Sequence, residues 1–299
     1  MLTNNNLNIS SFSFVKYSKY ILIIFVLCFG AKNTHSQKIT VNGKLADKKN
    51  NTAAAYATIA VKDRPHGTYS NIDGSFSLDN CKPDDIIQIR HINYEPFSFR
   101  IDTFTNNSII QLSSKDYKIE EIVVIPGKTK IKKIGYTRGR SVYSSKIGGQ
   151  FAMLLKNDKH PEAYIAEITF EINRRTTHRN AVKIHLYENS NGRPGNDIIL
   201  KNNIIIIDKT IQDKIIYKPD KKINFPKEGL FIGYEWLGHI DNQGNLLKIE
   251  KTSKDYAGPG IKCKANKTPS MVTTVWNLPW EDMGRDYRAC ISVLLVQNK

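Results

Sequence analysis

From Gln37 onward the chain reads as short runs of alternating apolar and polar residues broken by turn residues. No stretch holds the three-to-four-residue apolar repeat of a long amphipathic helix. Seven runs come first: Ile39 to Val41, Ala57 to Val61, Thr68 to Ser70, Phe76 to Leu78, Ile86 to Ile89, Phe97 to Ile101 and Ile109 to Leu112, punctuated by Pro83-Asp84-Asp85 and Asn106-Asn107. Each strand with one apolar face needs a covering layer, so seven short strands predict a small β-sandwich. Asp73-Gly74 is a tight-turn signal, because glycine takes positive φ without a Cβ penalty, and it predicts a hairpin that pairs Thr68–Ser70 with Phe76–Leu78 and sets Tyr69 near Phe76. A second series runs through Phe151 to Leu155, Tyr164 to Ile172, Ala181 to Glu188, Ile204 to Ile207, Ile215 to Tyr217, Leu230 to Leu237, Leu246 to Ile249 and Ala289 to Val296. It predicts a larger β-sandwich, for which a jelly roll is one arrangement.

Composition changes between the two series. Residues 126–146 carry seven basic residues, Lys128, Lys130, Lys132, Lys133, Arg138, Arg140 and Lys146, and no acid. The expected organisation is therefore a segment 1–36, a sandwich over 37–125, a basic linker over 126–146 that trypsin cuts first, and a second sandwich over 147–299. Net charge is +16, but its concentration in one short linker argues against a nucleic-acid-binding face. The linker is suited either to solvation or to contact with an anionic surface through screened attraction.

Ahead of Gln37, Lys16 and Lys19 precede the apolar run Tyr20 to Ala31, and small residues Thr34 and Ser36 come after it. That run is too short for the roughly 30 Å hydrocarbon core of a bilayer, so the layout predicts a secretory signal cleaved before Gln37. Leu27 before Cys28 does not suit lipidation. The mature chain keeps Cys81, Cys263 and Cys290. Spacing leaves open a Cys263–Cys290 disulfide or buried free thiols, and no CxxC or Cys/His cluster suggests structural zinc.

Few residues carry a chemical signature. His185 and Glu188 match the HxxE spacing of zinc carboxypeptidases, yet residues three apart on a strand point to opposite faces, and His239 is the only downstream histidine; His185 is expected to be an exposed strand residue, and no metal is expected. No nucleophile elbow, phosphate loop or dinucleotide fingerprint occurs, so no cofactor and no catalytic residue is assigned. Asp241-Asn242-Gln243-Gly244 lacks the spaced acids of a calcium loop and reads as a hairpin turn. Aromatic residues cluster late in the chain. Trp236 reads as core, whereas Trp276 and Trp280, flanking Asn277-Leu278-Pro279 in a loop, are the candidate binding residues, since ring faces stack on sugars.

Four blocks carry a family resemblance: Val41-Asn42-Gly43-Lys44-Leu45-Ala46-Asp47, Ala57 to Val61, Gly67 to Phe76, and Ile92-Asn93-Tyr94-Glu95. Together, over residues 38 to about 113, they resemble the carboxypeptidase regulatory-like domain. The resemblance implies a transthyretin-like sandwich of the bacterial envelope that accompanies other domains, often at the amino end of outer-membrane nutrient receptors, and it does not imply peptidase activity. Ile119 to Ile125 looks like the tail that leads into a plug and barrel in those receptors, but the residues after Ile125 are too few for a 22-stranded barrel. The expected protein is a non-enzymatic, exported binding or interaction module of periplasm, outer membrane or cell surface, with a glycan or an outer-membrane protein as partner and no nucleic acid. Two alternatives stand beside it: an accessory subunit of an outer-membrane receptor, and a hydrolase with an unrecognised site in the second domain.

Overall fold

Alternation along the first series produces seven strands in two sheets. In the computed structural model, which describes residues 38–115, 129–160, 162–173, 178–208, 213–249, 258–265, 271–283 and 287–298, these are β1 (Ile39–Asp47), β2 (Thr58–Val61), β3 (Gly67–Tyr69), β4 (Ser75–Cys81), β5 (Ile86–His91), β6 (Tyr94–Arg100) and β7 (Ser108–Leu112). One sheet runs β4-β1-β7 and the other β3-β2-β5-β6, with β1 and β7 parallel. Val41, Leu45, Phe76, Leu78 and Leu112 from the first sheet meet Ile59, Val61, Ile87 and Ile89 from the second in one core. The segment 1–36 expected to be a signal, Cys28 within it, and the Ile119 to Ile125 tail lie outside the described residues.

The predicted hairpin does not form. β3 belongs to one sheet and β4 to the other, so the Asp73-Gly74 turn carries the chain across the sandwich. Tyr69 and Phe76 accordingly enter different clusters. The turn itself is as the residues require: the Gly74 N–H donates to the Asn71 carbonyl at 2.9 Å, Asp73 Oδ1 accepts from Ser75 N at 2.9 Å, and Gly74 has φ +82°.

The second series forms β8 (Thr129–Gly135), β9 (Ser141–Tyr143), β10 (Gly149–Leu155), β11 (Tyr164–Asn173), β12 (Arg179–Ser190), β13 (Arg193–Asp197), β14 (Ile204–Ile207), β15 (Lys214–Tyr217), β16 (Ile223–Asn224), β17 (Leu230–Ile240), β18 (Gly260–Ala265), β19 (Met271–Val275), β20 (Glu281–Asp282), β21 (Tyr287–Ala289) and β22 (Ile291–Asn298). Seven of these strands make a sheet along β13-β12-β17-β10-β19-β20, with β14 on β12; eight make the facing sheet along β21-β18-β11-β22-β8, with β15 and β16 on β11 and β9 on β18. Phe151, Ile184 and Trp236 of one sheet interdigitate with Phe170, Ile261 and Val293 of the other. Leu246 to Ile249 makes only an isolated bridge to Ile240 instead of a strand.

The linker expectation is corrected over its described part. β8 pairs along its whole length with β22, from Gly135 opposite Ser292 to Thr129 opposite Asn298, and β9 pairs with β18. Ile134, Tyr136 and Tyr143 pack on the second core. Edge-strand pairing satisfies the backbone here, which a run of lysines does not prevent when their charged heads reach water.

Lys38–Lys299 forms one compact unit. The reason is a third cluster: Tyr56, Ala60 and Tyr69 from the first sandwich pack on Ala181, Leu237, Ile240 and Trp276 from the second. On β12 and β17, Val182, Ile184, Leu186, Ile232, Tyr234 and Trp236 fill the second core, while Ala181 and Leu237 on the opposite face pack on the first sandwich and Tyr187 and Phe231 on that face lie in a separate cluster beyond it.

A Cβ at Gly74 would lie 2.3 Å from the Leu45 carbonyl oxygen, besides requiring a left-handed backbone. Gly74→Val is expected to lower unfolding free energy by about 1–3 kcal/mol or more, read from the denaturant midpoint; an unchanged midpoint would contradict the turn geometry.

Candidate functional site

The junction between the sandwiches carries a buried polar network. His185 and Lys183 on β12, Glu235 on β17 and Gln150 on β10 all point out of the second core toward the first sandwich, because strand alternation places them opposite Ile184, Tyr234 and Phe151. Glu235 is 6% exposed and His185 7%. The His185 ring donates through Nε2 to Glu235 Oε2 at 2.8 Å and through Nδ1 to Asp197 Oδ2 at 3.1 Å. The second oxygen of Glu235 accepts from the Tyr69 hydroxyl at 2.6 Å, so a residue of the first sandwich completes a site built by the second. Lys183 Nζ donates to the Tyr56 carbonyl at 2.9 Å, and the Tyr56 hydroxyl donates to the Gly244 carbonyl at 2.6 Å. Tyr187 stacks on His185 with centroids 5.5 Å apart and accepts a hydrogen bond from Gln150.

Electrostatics follow from that geometry. Burial opposes the imidazolium, but the charge and hydrogen bond of Asp197, together with Glu235, outweigh it and raise the His185 pKa. Burial likewise opposes the Glu235 carboxylate, and Lys183, His185 and Tyr69 outweigh it and lower the Glu235 pKa. Burial and the nearby Glu235 charge push Tyr69 well above the ordinary phenol value, so it stays a donor. At the edge of the junction His91 is pushed down to about 3 by burial and by Lys183.

The positions singled out from sequence fall differently. His185 is buried instead of exposed, and it does not converge with Glu188, which is exposed and accepts from Asn196 at 3.0 Å. Among the described residues no group of three or more His, Cys, Asp or Glu is arranged to hold a metal ion. Trp276 is 9% exposed and wedged into the junction, 5.0 Å from the Tyr69 ring, which removes it as an exposed binding residue. The wedge needs glycines: a Cβ on Gly148 would lie 2.0 Å from the indole and one on Gly67 2.6 Å. Trp276 and Asn277 both hold left-handed backbone, at φ 48° and 63°. Asp241 closes its turn by accepting from Gln243 N and Asn245 N, and the turn's Gly244 serves the junction. Cys81, Cys263 and Cys290 are buried free thiols; burial pushes Cys81 up to about 11 and Cys263 up to about 12.

Trp280 is half-buried and meets Tyr187 edge-on at 5.5 Å. It packs on a cluster of Ala152, Phe231 and Val272, on the part of the seven-stranded sheet beyond the junction. Beside that cluster opens a cleft of about 560 Å³ lined by Tyr136, Lys156, Asp158, Phe231, Val272 and Arg288 among others, with Asp282, held by Arg193 at 2.9 Å, on its rim. Sequence reasoning missed this cleft, because its walls come from β8, β10, β17, β19 and β21, which lie far apart along the chain.

Comparison with known proteins places the first sandwich. Residues 41–124 match the CarboxypepD_reg-like domain family. That interval contains the four blocks and all but the start of the seven strands. A TonB-dependent receptor, P3 of Formosa agariphila, is 28% identical over 125 residues, 42% of this chain; the match spans 11% of the receptor's length. The cysteine protease and lectin-like domains of Cwp84, a surface layer associated protein of Clostridium difficile, superpose with a TM-score of 0.36 at 10% identity, covering 77% of this chain and 44% of that one. The clostridial protease after propeptide cleavage gives 0.38 at 10% identity, covering 87% and 71%. Those scores are too low to carry a shared architecture or chemistry.

The CarboxypepD_reg-like domain thus supplies the hydroxyl that closes the Glu235 site. Tyr69→Phe removes one donor from a buried carboxylate and is expected to cost about 1–3 kcal/mol of unfolding free energy. The network also fixes how stability depends on pH. His185, raised above its ordinary 6.5, contributes fully below that value and loses its contribution as pH rises through the folded pKa; Glu235, lowered from 4.5, contributes above 4.5 and loses it as pH falls through the folded pKa. Stability from this pair should therefore peak between 4.5 and 6.5, and His185→Gln should flatten the alkaline limb of a plot of unfolding free energy against pH. An alkaline limb unchanged in that variant would contradict the pairing.

Proposed function

We propose that this protein is a non-enzymatic, exported module of the bacterial envelope, in which a CarboxypepD_reg-like domain is locked to a second β-sandwich that presents a binding surface. The observation that carries the reading is the burial of His185 and Glu235. They are the His–Glu pair that the HxxE position leads to, 2.8 Å apart and each less than a tenth exposed. Glu235 is in turn bonded to Tyr69 of the first sandwich, so the pair serves to hold two domains in register, whereas a general base needs access to the proton it removes. The envelope setting rests on the CarboxypepD_reg-like domain and on a partial match to a TonB-dependent receptor. The same relative favours a second reading, an accessory subunit of an outer-membrane receptor, which predicts copurification with a large barrel protein.

Incubating the purified protein with peptide and polysaccharide substrates should give no turnover that depends on His185. Hydrolysis that vanished in His185→Gln, in a variant that circular dichroism shows to remain folded under the assay conditions, would overturn the non-enzymatic reading.

A further inference from the structure

The cleft at the end of the second sandwich has a floor and a rim of different chemistry. Leu154, half-buried, and the buried Phe231 and Val272 give it apolar lining. Arg288 lies over the Tyr136 ring at 4.9 Å, and Lys156 lines the same cleft. A second hollow of about 330 Å³ shares Lys156 and Asp158 and adds Asn189, Lys227 and Glu228. Both volumes fall in the range of ligand sites, roughly 300–1,000 Å³.

The strand that leads into the cleft is basic. Lys130, Lys132 and Lys133 on β8 are exposed, Ile134 to Tyr136 line the cleft, and exposed Arg138 and Arg140 come next. Among the described residues none of Lys130, Lys132, Lys133, Arg138, Arg140, Lys156 and Arg288 makes an ion pair. Lysines on an edge strand discourage pairing with another sheet, and that role alone would account for β8. It does not account for Arg288 and Lys156, which line a concave cleft with no ion pair of their own. The acids nearby are Asp158, Glu228 and Asp282, of which Asp282 is already held by Arg193.

We infer that this cleft and the β8 edge bind an acidic polysaccharide, one whose sugar rings carry carboxylate or sulfate groups. The inference rests on the binding-module reading and gives that module its ligand class. A sugar ring offers an apolar C–H face to the half-buried Leu154, with Phe231 and Val272 buried behind it, hydroxyls to Asp158, and an acidic substituent to Arg288 and Lys156. The chain then leaves along β8, where Lys130 and Lys132, two residues apart on an extended strand, stand about 7 Å from each other. A flat anionic membrane would meet the lysines but would leave the floor of the cleft empty, so a ring-bearing polymer uses more of what is built.

Calorimetric titration of the purified protein separates these cases, with pentagalacturonate as the probe, cellopentaose as the neutral control, and vesicles of phosphatidylcholine and phosphatidylglycerol in equal parts as the membrane arm. Pentagalacturonate should bind, cellopentaose should not, and affinity should fall as salt rises. Arg288→Gln and Lys156→Gln should each weaken binding about tenfold, the loss expected for one charge-assisted hydrogen bond, while Lys48→Gln, which removes the same charge from the first sandwich, should change it less than twofold. Equal binding of the neutral sugar, no binding of the acidic one, vesicle binding without sugar binding, or full affinity in Arg288→Gln would each overturn the inference. None of these results bears on whether His185 supports turnover, so the ligand class and the non-enzymatic reading fail separately.

Discussion

A single buried carboxylate organises the way this chain holds together. Glu235 sits on a strand covered on both faces, where an unpaired charge would be costly, and its two oxygens are taken by His185 of its own sheet and Tyr69 of the opposite sandwich. A buried ion pair gains little net stability over a well-packed apolar pair, but removing one partner leaves the other uncompensated. The consequence is geometric specificity. Apolar contacts through Ala60, Leu237 and Ile240 would tolerate sliding of one sandwich on the other, whereas a hydroxyl at 2.6 Å and a lysine on the Tyr56 carbonyl do not. Trp276, seated on Gly67 and Gly148, fills the remaining space, and its left-handed backbone is held because the junction surrounds it.

Much of the first sandwich was legible in the sequence, since period-two alternation bounded by turn residues has few other readings. Its one misreading is instructive. Asp73-Gly74 specifies a reversal of the chain, which the structure has, but a reversal does not say whether the two arms pair or pass to facing sheets. The second sandwich was legible in its long apolar strands and not in its polar ones. β8 presents Lys130, Lys132 and Lys133 to solvent, so composition points to a linker although the backbone pairs with β22.

The junction was hidden for a different reason. His185 looks like an exposed strand residue only if one face of β12 is wet, and Trp276 looks like a loop aromatic only if its partner glycines, one of them in the other sandwich, are unknown. A signal was present nonetheless. Leu230 to Leu237 is a nearly continuous apolar run interrupted by one acid, which is how a strand buried on both faces reads, and an acid in such a run must find partners. The cleft left no comparable trace, because it is assembled from strands remote in sequence. Locking the sandwiches covers the half of the seven-stranded sheet that carries His185 and Glu235 and leaves the other half, with Trp280 and the adjoining cleft, to face outward.

Whether the two sandwiches behave as one body is the most direct test of this account. Differential scanning calorimetry of the intact protein at pH 5.5, inside the window where both His185 and Glu235 are fully paired, should give one cooperative transition whose calorimetric and van't Hoff enthalpies agree. Two resolved transitions, one of them unaffected by Tyr69→Phe, would show that the sandwiches unfold independently and that the Glu235 site does not hold them together.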